Sequence, residues 1–257
     1  MEIKTSLVIA TYNWPEALRL CLASVERQTV MPDEVVIADD GSGEETRKVV
    51  MSFKDKLPLL HVWHEDKGFR LTVIRNKAIA QCTGDYVIQI DGDIVLDRHY
   101  VEDMISEAAP GYYSCGSRAK LSPALSQMAL RRKRFVPHWW MPGVRRRQNA
   151  LRLPWLSRFF YRYEHGRGCS MAFWRYDLLA VNGYDERIEG YGLEDTDLEN
   201  RLMRLGIRKR YVKMEACQYH IHHDEHYEVQ GHDYRFVLDD NDRACRVRVE
   251  KGIEKSL

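Results

Sequence analysis

The stretch Tyr86-Val87-Ile88-Gln89-Ile90-Asp91-Gly92-Asp93 decides how this chain reads. Its first five residues form a short, nearly continuous apolar run, the composition of a strand buried on both faces of a parallel sheet. Asp91-Gly92-Asp93 then stops it. Upstream the same pattern occurs three times, at Ser6-Leu7-Val8-Ile9-Ala10, Val35-Val36-Ile37-Ala38 and Leu59-Leu60-His61-Val62-Trp63. Helical patterns lie between these runs, over Pro15–Gln28 (Leu18, Cys21, Leu22 and Val25 on one face), Glu44–Phe53 and Leu71–Gln81. This β-α-β-α-β-α-β series predicts an α/β fold, a single Rossmann-like domain with a mostly parallel central sheet flanked by helices. Ligands in such folds sit at the carboxyl ends of the strands. Asp39-Asp40 and Asp91-Gly92-Asp93 both fall at such ends.

Downstream the pattern changes. From Ala108 to Tyr163 there is no acidic residue, and cations alternate with aromatics: Arg131-Arg132-Lys133-Arg134, Trp139-Trp140, Arg145-Arg146-Arg147, Trp155, Phe159, Phe160 and Tyr161. Pro137, Pro142 and Pro154 interrupt it, so it reads as a basic, aromatic, partly helical insertion over 108–163 between a half at 1–107 and a half at 164–257. A strand at Cys169–Phe173 and a short helix at Arg175–Val181 follow. Next comes Gly190-Tyr191-Gly192-Leu193-Glu194-Asp195, which opens a helix whose Leu198, Leu202 and Leu205 recur at helical spacing and would bury one face, with Asp197 and Glu199 as helix-start and solvent-facing charge. The tail holds His220, His222, His223 and His226.

At 257 residues and 44% hydrophobic, the chain can bury a sizeable core. Its 39 Lys and Arg nearly cancel its 38 Asp and Glu, so no whole-protein field points to nucleic acid. Six scattered cysteines without a C-x-x-C pair, and no signal peptide before Ser6, read as a reduced, cytoplasmic protein. No apolar run approaches the roughly 20 residues that span a bilayer, which leaves peripheral contact.

Three clusters can carry chemistry. Asp91-Gly92-Asp93 can point two carboxylates off one turn toward a hard divalent cation, or can be a solvated strand end. Asp40 can accept the N3 hydrogen of a uracil ring, or Asp39-Asp40-Gly41-Ser42 can be a turn that caps the next helix. Glu194 and Asp195 can do proton chemistry, or can simply complement a helix dipole. The histidines of the tail allow a zinc site with Cys217 or a polar surface.

In order and spacing, these segments resemble glycosyltransferase family 2 enzymes of the GT-A fold. Val8–Asn13 resembles the opening strand and nucleotide loop, Ile37–Ser42 the second nucleotide element, and Gly68-Phe69-Arg70 with Arg75-Asn76-Lys77-Ala78 the segment facing the diphosphate and base. Asn182–Glu186 and Gly190–Asp195 resemble the acceptor-side module of galactosyltransferase-type and chondroitin-polymerase-type enzymes. The resemblance implies an inverting, metal-dependent hexosyltransferase that uses a UDP-sugar donor, Mn2+ or Mg2+, and a saccharide acceptor. It implies that Tyr12 stacks on the base and Asp40 binds the uracil. Arg70 would approach the nucleotide, Asp91 would face the ribose or metal, and Asp93 with His220 or His222 would ligate the metal. Asp195 would be the general base and Glu194 would position hydroxyls. Ala10 stands where some members have a polar residue, leaving base recognition to the backbone and Asp40.

The basic segment suits an anionic membrane surface, a lipid-linked or lipopolysaccharide-type acceptor at the inner membrane face, a single-stranded nucleic acid or an anionic glycan; beside a sugar-transfer site, a membrane contact through 131–162 is favoured over RNA. The alternative function is a non-catalytic nucleotide-sugar or glycan-binding module. A sugar-nucleotide pyrophosphorylase needs a glycine-rich phosphate loop, which Ala10–Pro15 does not provide.

Overall fold

A computed structural model describes residues 3–157, 170–190, 192–223 and 234–256. Strands β1 (Thr5–Thr11), β2 (Glu34–Asp39), β3 (Leu59–Trp63) and β4 (Tyr86–Asp91) alternate with helices α1 (Pro15–Val25), α2 (Glu44–Met51) and α3 (Leu71–Gln81). There follow β5 (Ile94–Leu96), α4 (Tyr100–Ser106), β6 (Tyr112–Gly116), β7 (Ala119–Leu121), α5 (Pro123–Leu130), β8 (Val144–Arg145) and α6 (Pro154–Ser157). The remainder is β9 (Ser170–Trp174), α7 (Arg175–Ala180), α8 (Glu194–Arg204), β10 (Arg208–Val212), β11 (Gln218–His220) and α9 (Arg235–Arg243).

Seven strands form the main sheet in the order β10-β6-β9-β4-β1-β2-β3. Only β9 runs against the others, pairing antiparallel with β4 and β6. The carboxyl ends of β1, β2 and β4 therefore lie along one edge, with Ala10 registered against both Ala38 and Asp91. The continuous apolar runs have a direct cause. Leu7 and Ile9 enter the core cluster on one face, with Leu18, Cys21 and Leu22 of α1, while Val8 and Ala10 enter the cluster on the other, with Ile74 and Ala78 of α3. A strand buried on both faces has no polar alternation, and each such Leu, Val or Ile contributes roughly 1.5–3 kcal/mol of burial.

A second sheet, ordered β5-β11-β7-β8, is assembled from short pieces far apart in sequence. It begins immediately after Asp91-Gly92-Asp93, where the chain leaves the main sheet. The segment expected as a helical insertion is more mixed than that. Its β6 is a strand of the main sheet, and its β7 and β8 build half of the second sheet around α5. Phe159, Phe160, Tyr161, Cys169, Tyr191 and His226 lie outside the described residues. Among the described residues, five cysteines are free and no helix is long and apolar enough to cross a membrane.

Two expectations about α8 need correction. Leu198 and Leu202 are fully buried, but Leu205, just past the last helical turn, is 38% exposed. Asp197 and Glu199, read from the sequence as solvent-facing helix-start charge, are buried. Asp197 Oδ2 pairs with Arg201 Nε at 2.8 Å while its Oδ1 accepts from Asn241 Nδ2 at 2.7 Å, and Glu199 Oε2 pairs with Lys209 Nζ at 2.8 Å. Both acids tie α8 to its neighbours, because a buried charge persists only with a partner.

Candidate active site

At the ends of β1 and β2, the Tyr12 ring is half exposed, and its hydroxyl donates to Asp66 Oδ2 at 3.0 Å. The consecutive acids beside it divide. Asp39 Oδ1 accepts the Ser42 N–H at 2.8 Å and Asp39 Oδ2 lies 2.8 Å from His61 Nε2, so Asp39 builds the turn. Asp40 is buried, with Oδ1 2.6 Å from His64 Nε2 and Oδ2 accepting the Arg70 N–H at 2.9 Å. Burial pushes its carboxyl above the ordinary range, against the Arg70 N–H and His64, and burial also pushes the His64 imidazole below its usual value. The Arg70 guanidinium caps the Glu65 carbonyl, and the Ala10 carbonyl accepts the Gly92 N–H at 2.7 Å, holding the acidic turn of β4 against β1.

Asp91 is joined to the acidic helix by Arg75 of α3. Nη2 of this buried guanidinium donates to Asp91 Oδ1 at 3.1 Å, and Nη1 lies 3.4 Å from Asp195 Oδ1 and 3.6 Å from Glu194 Oε1. The Tyr184 ring packs on it, 5.3 Å from Cζ. Two left-handed residues, Gly192 (φ +93) and Leu193 (φ +72), swing the chain into the first turn of α8 and deliver both acids to Arg75. A side chain at Gly190 would meet the Tyr234 ring at 2.4 Å, so that turn also needs glycine. Glu194 is buried with Oε2 unpartnered, whereas the Asp195 side chain is 21% exposed. Burial, reinforced by the charges of Asp195 and Asp91, pushes the Glu194 carboxyl up to about 7, against the pull of Arg75.

Asp93 turns the other way, toward the second sheet. His220 Nε2 and His223 Nε2 each lie 3.2 Å from Asp93 Oδ2. The ligand atoms of the three residues lie within 4.8 Å of one another. The imidazoles outweigh the cost of burial and hold the Asp93 carboxyl below the ordinary range, while its Oδ1 is buried without a hydrogen-bond partner. An orphaned carboxylate oxygen beside two imidazoles fits a divalent first-row cation. The Trp14 ring meets His223 edge-on at 5.7 Å and limits its rotation.

The structure thus brings together Asp91, Glu194 and Asp195 around Arg75, and Asp93 with His220. It does not bring His222 into the group. Extended geometry would put His220 and His222 on one face, but β11 ends at His220, the cluster with Asp93 is made by His220 and His223, and the His222 N–H donates to Ser126 Oγ at 2.8 Å. His223 stands in its place. His64 and the hub role of Arg75 had no readable signal beyond position; a buried arginine that joins three separate acids is a tertiary fact.

Residues 6–167 match the profile described as Glycosyl transferase family 2, and residues 156–226 match that described as N-terminal domain of galactosyltransferase. Validoxylamine A glucosyltransferase of Streptomyces hygroscopicus subsp. limoneus is 29% identical over 228 residues, covering 79% of this chain and 48% of that protein. Chondroitin synthase of Escherichia coli is 26% identical over 237 residues, covering 84% and 34%. The chain spans about half the length of the first of these relatives and about a third of the second. Among solved structures, S. aureus TarS 1-349 in complex with UDP-GlcNAc superposes with a TM-score of 0.67 at 18% identity over 99% of this chain and 69% of that one. Mannosyltransferase PcManGT from Pyrobaculum calidifontis, in complex with GDP-Man and Mn2+, gives 0.63 at 17% identity over 96% and 63%. These superpositions show a shared GT-A fold. Since the first profile runs through more than half of the sequence, from β1 past α6, the chain belongs to glycosyltransferase family 2.

Proposed function

We propose that this protein is an inverting, metal-dependent glycosyltransferase that moves a hexose or N-acetylhexosamine from a UDP donor to a saccharide hydroxyl in glycan, polysaccharide or lipopolysaccharide synthesis. One observation carries the reading: carboxylates suited to opposite tasks lie on one edge of the sheet. Asp93 sits with two imidazoles, and Asp195 is partly exposed on the far side of Arg75.

In this reading Tyr12 stacks on the base, Asp40 accepts from the uracil, and Arg70 holds the nucleotide loop through its N–H to Asp40. Ala10 offers its backbone to the base, and Asp91, oriented by Arg75, faces the ribose. Asp93, His220 and His223 would hold a divalent cation, and their two imidazoles would favour Mn2+ over Mg2+, which prefers oxygen ligands. A cation there would neutralise the developing charge of the diphosphate leaving group. Asp195 takes the proton of the acceptor hydroxyl as it attacks the anomeric carbon from the opposite side, which inverts the configuration. Glu194 lies deeper and orients that hydroxyl. Arg75 keeps the Asp195 carboxylate aimed at the proton it removes.

Trp139, Trp140 and Trp155 are exposed, as are Arg131, Arg132 and Lys133. Phe135 and Val144, both buried, anchor the two ends of the loop that carries the first two tryptophans. This surface suits contact with the anionic inner face of a membrane, where a lipid-linked acceptor would be presented to a cytoplasmic enzyme.

A donor screen tests the assignment. Nucleotide release is expected from at least one of UDP-glucose, UDP-galactose and their N-acetyl forms, with Mn2+ and not with chelator. Release from GDP-mannose alone would overturn the uridine assignment. Tight UDP binding without turnover on any donor or acceptor would favour the binding-module reading.

A further inference from the structure

At the end of β2 and just past it, Asp39 and Asp40 each meet a histidine, and the two pairs differ in one atom. His61 of β3 sets Nε2 2.8 Å from Asp39 Oδ2, and its ring stays partly open to solvent. His64, just past β3, sets Nε2 2.6 Å from Asp40 Oδ1, and both of these side chains are buried. Among the described residues, His64 Nδ1 is buried with no hydrogen-bond partner.

That nitrogen decides where the ring carries its proton. Burial first, and then the charges of Arg70 and Lys77, push the imidazole below its usual value against the pull of Asp40, so at neutral pH the ring is uncharged and has one N–H. A buried N–H without an acceptor is rarer in folded proteins than a buried lone pair without a donor. The proton therefore sits on Nε2 and is donated to Asp40. The reverse arrangement, with Asp40 donating to Nε2, would strand an N–H at Nδ1. Asp40 also accepts the Arg70 N–H at 2.9 Å on Oδ2. Burial opposes the ionised form of this carboxyl, and the two donors support it. With both in place, every lone pair left on Asp40 can only accept. Asp40 is fixed beside Tyr12, because its N–H donates to the Thr11 carbonyl at 3.0 Å, and the Tyr12 ring is half exposed.

We propose that His64 is a positioning residue for base selection: by donating to Asp40 it keeps that side chain an acceptor only, so the site takes a base that presents an N–H there, uracil, and rejects one that presents a lone pair, cytosine. The inference rests on the reading of Asp40 as the partner of uracil N3. Cytosine N3 would set a lone pair against the carboxylate with no proton between them, and that pairing leaves a buried acceptor unsatisfied on each side. An Asp40 that had lost the His64 donor and taken up a proton would offer that proton to cytosine.

Calorimetric titration of the protein holding Mn2+ with UDP and with CDP, at neutral pH and beside a melting curve, tests this. In His64→Phe, or in the smaller His64→Leu where the phenyl ring is not accommodated, the preference for UDP over CDP should narrow about tenfold, with UDP weakened and CDP unchanged or tighter. His64→Gln, whose amide N–H can donate to Asp40, should keep the preference within about threefold of wild type, and His61→Phe, which alters the Asp39 pair, within about twofold. Equal weakening of UDP and CDP in the apolar variants would make His64 a packing residue and overturn the proposal. So would a His64→Gln protein as indiscriminate as His64→Phe, because the donated proton would then not be what matters. A wild-type protein that binds UDP and CDP alike sinks the uridine reading itself, whereas one that prefers UDP and keeps that preference undiminished in His64→Phe sinks the proposal alone.

Discussion

In the seven-stranded sheet the strands are five to seven residues long, and its central strands have apolar side chains packed on both faces; in the four-stranded sheet none exceeds three residues, and one face runs from buried Ile94 and Leu96 to exposed Arg145. The two meet at Asp91-Gly92-Asp93. Asp91, still on the large sheet, is tied through Arg75 to Glu194 and Asp195, and Asp93, just past it, is tied to His220 of the small one and to His223 beyond its last strand. In the proposed reading the large sheet is a stiff floor for the nucleotide and the base, and the small sheet closes a cation site whose ligands come from distant parts of the chain. Damage to the first should register in stability as well as rate. Damage to the second should register in metal affinity and rate alone.

The sharpest contrast is expected at the acidic turn. Asp93→Asn removes the carboxylate of the proposed cation site and should lower metal-dependent donor turnover by about 10³-fold or more, with the thermal unfolding midpoint little changed. Steady-state kinetics beside a melting curve checks both halves. Asp195→Asn should cost about 10²–10⁴-fold in transfer while UDP binding by calorimetry is retained. Near-normal transfer by a folded Asp195→Asn protein would remove it as the base.

Arg75→Met probes the large-sheet side. It leaves Asp91, Glu194 and Asp195 crowded without their shared cation, so chemical denaturation should show a loss of about 3–5 kcal/mol, unlike Asp93→Asn. A variant as stable as wild type would mean that the carboxylates tolerate one another, and the contrast between the sheets would fail.

Smaller effects sharpen the picture. His223→Ala should weaken Mn2+ binding about 10–100-fold, and His222→Ala less than about twofold; the reverse order would restore the extended-strand expectation. For Glu194, the folded carboxyl titrates near 7 against an ordinary 4.5, so the folded state keeps its proton through that window. Stability then falls as pH rises from about 4.5 to about 7, and the cost persists above it. Glu194→Gln should flatten that slope and raise stability at pH 8 by about 1–3 kcal/mol in urea titrations.

The large sheet was legible because its physics is local: an apolar run, a stop and a helical face can each be read within ten residues. Asp40, Asp91, Asp93, Glu194 and Asp195 were legible as strand-end or helix-start acids for the same reason. The small sheet was not. Val144-Arg145 and Gln218–His220 are too short to show a period, and their pairing is decided by which distant segments meet. Choosing His222 as the alternate to His220 assumed that the extended alternation of β11 continued past His220, whereas β11 ends there and His223 is the side chain that reaches Asp93. The buried fates of Asp197 and Glu199 were hidden likewise, since Arg201 lies four residues along but Asn241 and Lys209 are brought in by packing.

The central claim is that one cation site, made by Asp93, His220 and His223, faces the base Asp195 across the sugar. Crystals grown with UDP and Mn2+, with diffraction recorded on both sides of the manganese absorption edge, test it most directly. The account predicts one anomalous peak bonded to Asp93, His220 Nε2, His223 Nε2 and the diphosphate. A peak held by Asp91 without either histidine, or by Glu194 and Asp195, would contradict it.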